Sequence, residues 1–179
     1  LWLRDSLTRI TLLTPLKEAQ IFPIRSFNRI SHTVVKEPDV VRIITKFEKD
    51  INWTVLYLNR TIAVTKESPV VSVHYAILTT NSFYAQNFSI GILDPWGQTR
   101  RDTQFDNREL RLVYNTAAQK QMTVRLEWSI QDGVVVSTQP LSNKDSRIVT
   151  WLTFLPNATK SANLDIKIIT GPTGRLVND

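Results

Sequence analysis

The stretch Met122-Thr-Val-Arg-Leu-Glu-Trp-Ser-Ile130 constrains this chain more than any other, because an apolar side chain stands at every even position with Thr123, Arg125, Glu127 and Ser129 between them. That period of two belongs to a half-buried strand, with one face for a core and the other for water. After the turn signal Gln131-Asp132-Gly133 the chain runs extended again from Val134 to Val136, from Arg147 to Leu155, and from Leu164 to Ile168, where alternation returns. Runs this close together make a sheet.

From Asp39 onward, β-branched and aromatic runs of strand length alternate with turn signals, which favours antiparallel layers over helices alternating with parallel strands. Strands are expected near Val40 to Phe47, Trp53 to Val64, Val70 to Leu78, Phe88 to Leu93, Glu109 to Tyr114, Gln121 to Ile130, Ile148 to Leu155 and Asn163 to Thr170. Eight strands is a jelly-roll number. With only five glycines, tight two-residue hairpins must be few and longer connections between sheets common. The reading is therefore all-β, an eight-stranded antiparallel jelly-roll sandwich over 39–179, preceded by an N-terminal arm over 1–38. In that arm Leu3, Leu7 and Ile10 have helical spacing before Pro15, which predicts a short helix. The scattered Pro23 and Pro38 suit a wrapping connection.

Composition narrows the classes of function. Apolar residues make up 42% and charged residues 21%, ordinary globular values. No run of about eighteen apolar residues occurs, so no membrane contact is expected. The absence of cysteine removes disulfides and thiol chemistry together and leans towards an intracellular place of work. Of the net charge of +6, Arg4, Arg9, Lys17, Arg25, Arg29 and Lys36 against Asp5 and Glu18 put +4 in the first 36 residues. That segment could face an anionic partner such as RNA, or could be a solvated basic leader.

No motif for catalysis stands out. His32 and His74 are the only imidazoles, and without cysteine a zinc site would need carboxylates at spacings the chain lacks. No Gly-x-Ser-x-Gly turn is present. Asp94, Asp102 and Asp106 follow an expected strand but have Arg100, Arg101 and Arg108 among them, which reads as surface ion pairs in a long loop. Gly171-Pro-Thr-Gly174 lacks the Gly-Lys-Ser/Thr ending of a phosphate loop and reads as a turn. Asn-x-Ser/Thr triplets at Asn52, Asn59, Asn87 and Asn157 would be glycosylation acceptors only on the secretory path, and are read as chance. Trp53, Trp128 and Trp151 fall in expected strands and are assigned to the core or to subunit contacts. Trp2 and Trp96 fall outside them and are assigned to a protein contact.

Three stretches resemble the jelly-roll coat proteins of picorna-like viruses, especially the small separate coat proteins of plant members of the cheravirus type. They are Ser82-Phe-Tyr-Ala-Gln-Asn-Phe-Ser-Ile-Gly-Ile-Leu-Asp-Pro-Trp-Gly97, Trp151-Leu-Thr-Phe-Leu-Pro-Asn157, and Leu164 to Thr170 with Gly171-Pro172 behind it. The resemblance spans roughly residues 39 to 175. It implies a structural capsid subunit cut from a polyprotein, in keeping with a chain that starts at Leu1. Such a subunit would assemble with sister capsid proteins into an icosahedral shell around genomic single-stranded RNA, in the virion and, during assembly, in the host cell cytoplasm. On this reading Arg4, Arg9, Lys17, Arg25, Arg29, Arg100 and Arg101 are candidates for RNA-facing or inter-subunit contacts, Trp2 and Trp96 for apolar inter-subunit contacts, and no catalytic residue, metal or cofactor is expected. The alternative is a viral single-stranded nucleic-acid-binding protein of movement type, using Arg100, Arg101 and the basic leader on phosphates.

Overall fold

The computed structural model describes residues 3–13, 18–80, 85–94, 99–106, 108–116, 118, 120–130, 133–137, 141–142, 148–156 and 161–173. These form two antiparallel sheets in a sandwich. The large sheet contains β3 (Asn28–Lys36), β4 (Val40–Asp50), β5 (Val55–Thr65), β6 (Val70–Thr79), β8 (Thr99–Phe105), β9 (Glu109–Asn115), β10 (Gln121–Ile130) and β14 (Ser161–Pro172). Its order is β3-β4-β5-β6-β14-β10-β9-β8, two meanders joined by the last strand. The small sheet contains β1 (Leu3–Leu13), β2 (Ala19–Pro23), β7 (Ala85–Leu93), β11 (Gly133–Ser137), β12 (Leu141–Ser142) and β13 (Ile148–Pro156). Its order is β11-β13-β7-β1-β2, with β12 also on β13.

Alternation along each strand decides what is inside. Leu56 and Leu58 of β5, Tyr75 of β6, Leu112 and Tyr114 of β9, and Val124 of β10 are fully buried on the large sheet's inner face. Ile10, Leu12, Ile90, Leu152 and Phe154 meet them from the small sheet. Aromatic rings join the layers, Tyr75 to Phe88 at 4.9 Å and Phe154 edge-on to Trp128 at 6.3 Å between centroids, with Phe88 and Phe154 6.3 Å apart within the small sheet. Such offset and edge-on pairs add roughly 0.5–1.5 kcal/mol each beyond their buried area.

All eight expected runs are strands, and six more join them among the described residues. The expected helix is replaced by β1, which lies between β7 and β2. Its Thr8, Ile10 and Leu12 are the most deeply buried, Arg9 is half-buried and Thr11 is covered on the other face, an extended arrangement that pairing with β7 rewards. The β-branched Thr8, Ile10 and Thr11 also fit a pleated surface better than a helix. The stretch read as an arm therefore supplies three strands and a 3₁₀ turn at Ile24–Ser26 whose Ile24, with Phe27, sits in the core. Trp53 lies in the connection between β4 and β5 rather than in a strand. There Asn52 takes φ 65°, and its N–H donates to Asp50 Oδ1 at 3.1 Å; asparagine is among the residues that tolerate this left-handed region.

Candidate functional site

Strand β8 carries chemistry on both of its faces. Its register against β9 pairs Arg100 with Tyr114 and Asp102 with Val113, so one residue is skipped and Arg101 sits at the irregularity. Arg100 consequently turns inward with Tyr114, and Arg101 turns outward. Arg100 Nε donates to Asp94 Oδ1 at 3.0 Å, its Nη2 makes a second bond to the same carboxylate, and its Nη1 donates to Thr150 Oγ1. Tyr114 Oη donates to Asp94 Oδ1 at 2.8 Å. Both charged side chains are less than a tenth exposed. Burial, with Asp94 adding to it and Arg100 opposing it, pushes the Tyr114 phenol well above its ordinary value. This cluster ties the end of β7 to β8, β9 and β13.

On the outward face a cleft of about 250 Å³ opens over β8, β9 and β10. Two guanidinium groups, Arg101 and Arg111, line it together with Gln104, Gln121, Thr123 and Thr173. Val113 and Thr123 form a buried floor although they point away from the core. The Thr123 hydroxyl donates to that of Thr173 at 3.1 Å. Asp102 is also at the rim, its carboxylate occupied by Gln104 Nε2 at 3.0 Å and the Thr103 N–H at 2.8 Å. Arg111 Nη2 reaches Glu109 at 3.2 Å, while its Nε is buried without a hydrogen-bond partner. Such an array offers fork-shaped cationic donors beside amides and hydroxyls, suited to an oxyanion attached to a polar body.

The basic residues singled out by sequence are dispersed. Arg9 lies with its guanidinium 3.5 Å from the Trp151 ring centroid, on the outer face of the small sheet, where Trp151 stands opposite Gly91 and Arg9 opposite Ser89. Burial lowers its pKa. Arg25 and Arg29 are exposed on the 3₁₀ turn and on β3. Arg4 belongs to β1 by its backbone. Arg100 is committed to Asp94 inside the protein, whereas Arg101 lines the cleft. Lys17, Trp2 and Trp96 lie outside the described residues, as does Asn157.

Asp94, Asp102 and Asp106 are not brought together. Asp94 is buried, Asp102 is on the outer face, and Asp106 Oδ1 accepts the backbone N–H groups of Arg108 at 2.7 Å and Glu109 at 2.8 Å. Those two donors hold the Asp106 carboxyl below its usual range. His74 pairs with Asp165 at 2.8 Å on the exposed face, and His32 with Thr45 at 3.2 Å. Among the described residues no group of three His, Cys, Asp or Glu side chains could hold a metal ion. Asn52 and Asn59 are exposed and Asn87 is half-buried. Trp128, half-buried against the core, stacks on the exposed Phe105, and Trp151 faces outward under Arg9.

The fold defines an antiparallel β-sandwich domain. No protein-family model matches the chain, and no curated protein matches it either. Among solved structures it is similar to the heparinase III gene product, at 7% sequence identity and a TM-score of 0.55, with 79% of this chain and 22% of that chain covered. The same protein with methylated lysines is similar at 8% identity and a TM-score of 0.55, with 81% and 22% covered. The likeness is one of fold. This chain spans about a fifth of that protein's length.

Proposed function

We propose that this chain is a binding module that takes an acidic polysaccharide, with the Arg101 and Arg111 cleft holding one sulfate or carboxylate group. The observation that carries this reading is the pairing of two arginines, one exposed and one with a buried Nε that has no hydrogen-bond partner, in a cleft lined mostly by polar side chains on the solvent side of the large sheet. A guanidinium fork fits a planar or tetrahedral oxyanion bidentately, and the neighbouring amides and hydroxyls suit sugar hydroxyls. The cleft is below the usual range for a pocket that engulfs a drug-sized ligand, so one charged sugar unit would enter and the polymer would run across the sheet. A net charge of +6 draws a polyanion from a distance. The sandwich's likeness to part of a protein named heparinase III is in keeping with such a substrate class.

Titration calorimetry with a sulfated heparin-type oligosaccharide and with a neutral dextran of equal length tests the reading. Binding that is confined to the sulfated chain, weakens with salt and drops about ten-fold or more in Arg111→Ala is expected, since a hydrogen bond to a charged group contributes roughly 1.5–3 kcal/mol. Equal binding to dextran, or none to either, overturns it.

A second reading, the jelly-roll capsid subunit that assembles with sister coat proteins around single-stranded RNA, draws on a different observation. Strands β2 and β3, consecutive in sequence, form open edges of the two sheets and expose Ile21, Ile30, Val34 and Val35. Electron microscopy and light scattering of the purified chain with single-stranded RNA decide it. Closed particles support this reading, and a monomer at every concentration removes it.

A further inference from the structure

We infer that β3 is a docking edge for an extended segment of a partner protein that carries an acidic residue at each end of one face and apolar residues between them, and that adds to the large sheet as a ninth strand. The inference stands apart from the glycan cleft, which lies at the opposite edge of the same sheet.

Strand β3 is nine residues long, pairs among the described residues with β4 alone, and is exposed at every position except the half-exposed Ser31. Its outward N–H and C=O groups form a template for a further strand. Native proteins blunt such edges with short strands, proline or charge. Here a long edge strand instead shows Ile30 at 55%, Val34 at 49% and Val35 at 36% exposure. A single irregularity, at Ile30, interrupts its ladder.

The surface beside β3 defines what would pair there. Register runs Val34 to Ile43, Ile43 to Ile62 and Ile62 to Val73, one apolar row along the core-facing side of the large sheet. Val73 is buried, Ile43 and Ile62 are half-buried, and Val34 is open, so the row emerges from under the small sheet as it approaches the edge. The next row, Lys36 to Val41 to Val64, ends on a cation, and Val64 is 39% exposed. Residues Arg29, His32, Val34 and Lys36 share this face, opposite Phe47, Thr45, Ile43 and Val41. No acidic residue occurs between Asn28 and Lys36.

An antiparallel incoming strand therefore meets a cation, an apolar side chain, an imidazole and a second cation along one face. A glutamate opposite Lys36, a valine opposite Val34 and a glutamate opposite Arg29 complete it, while threonines suit the other face. A second copy of β3 satisfies this poorly, because each copy brings Arg29 and Lys36 and neither brings a carboxylate.

The test uses the full chain and two fluorescently labelled peptides, one alternating glutamate, threonine and valine in this pattern, the other with lysine for each glutamate. Fluorescence anisotropy should show saturable, salt-weakened binding of the acidic peptide alone. The double variant Arg29→Glu/Lys36→Glu should lose about ten-fold in affinity for it and gain the lysine peptide, the scale expected when exposed pairs become like-charge pairs. Gain of the lysine peptide shows that the variant is folded. Two results overturn the inference: equal or absent binding of both peptides by the unaltered chain, or a concentration-dependent dimer in light scattering that Val34→Lys dissolves, which would assign the edge to a second copy.

Discussion

Arg100 and Arg101 are neighbours in sequence and opposites in the sandwich. One is buried against Asp94, Thr150 and Tyr114; the other stands in water at the mouth of a cleft. What separates them is the pleat, which sends successive side chains to opposite faces, and the irregularity that realigns β8 on β9 between Arg100 and Asp102. The same pair of guanidinium groups therefore serves two ends. The inner one satisfies a buried carboxylate, and the outer one is available to a ligand.

The largest effect that could break this contrast is on stability. Arg100→Ala leaves Asp94 buried without its counter-charge and should cost about 3–5 kcal/mol, whereas Arg101→Ala should stay within about 0.5 kcal/mol. Equal urea midpoints for the two variants would erase the distinction. On the binding side the ranking reverses: Arg101→Ala and Arg111→Ala should weaken a sulfated oligosaccharide with unchanged melting, as calorimetry would register.

A smaller effect is expected at Arg9, whose stacking on Trp151 should contribute about 0.5–1 kcal/mol. Arg9→Ala measured in the presence and absence of Trp151→Ala, as a double-mutant cycle, isolates that coupling.

Two titrations sharpen the comparison further. Because folding raises the Tyr114 phenol pKa, its contribution is fully present below the ordinary tyrosine value of about 10 and is lost as pH rises from there towards the folded value. Tyr114→Phe should flatten that alkaline slope in urea unfolding, and ultraviolet titration should show one tyrosine resisting ionisation at pH 11. Folding lowers the Asp106 carboxyl instead. Its contribution is present above the usual carboxylate range and disappears as pH falls through the folded value, so Asp106→Asn should remove a small part of the acid-side slope.

β-branched and aromatic runs of strand length between turn signals, with the clear alternation from Met122 to Ile130 and from Leu164 to Ile168, were enough to find β4, β5, β6, β7, β9, β10, β13 and β14, because such side chains suit a pleated, half-buried surface. The cleft was half legible. Arg101 was singled out as a charge, but Arg111, Gln104, Gln121, Thr123 and Thr173 come from three strands and the turn after β14, and the only signal of the strand residues was outward phase on β8, β9 and β10. Residues 3–13 misled because Leu3, Leu7 and Ile10 fit a helical stripe as well as Thr8, Ile10 and Leu12 fit a strand. Pairing with β7 resolves the ambiguity, and a local pattern carries no information about that partner.

By itself the sequence determined the all-β character of this protein, its lack of thiol chemistry and its positive charge, since periodicity, composition and charge are properties of the chain whatever it packs against. Tertiary structure alone decided that β1 enters the small sheet, that one of two adjacent arginines is internal, and that β3 is left at an edge. Each of these depends on which strands lie side by side, a matter of long-range pairing and of how far one layer covers the other.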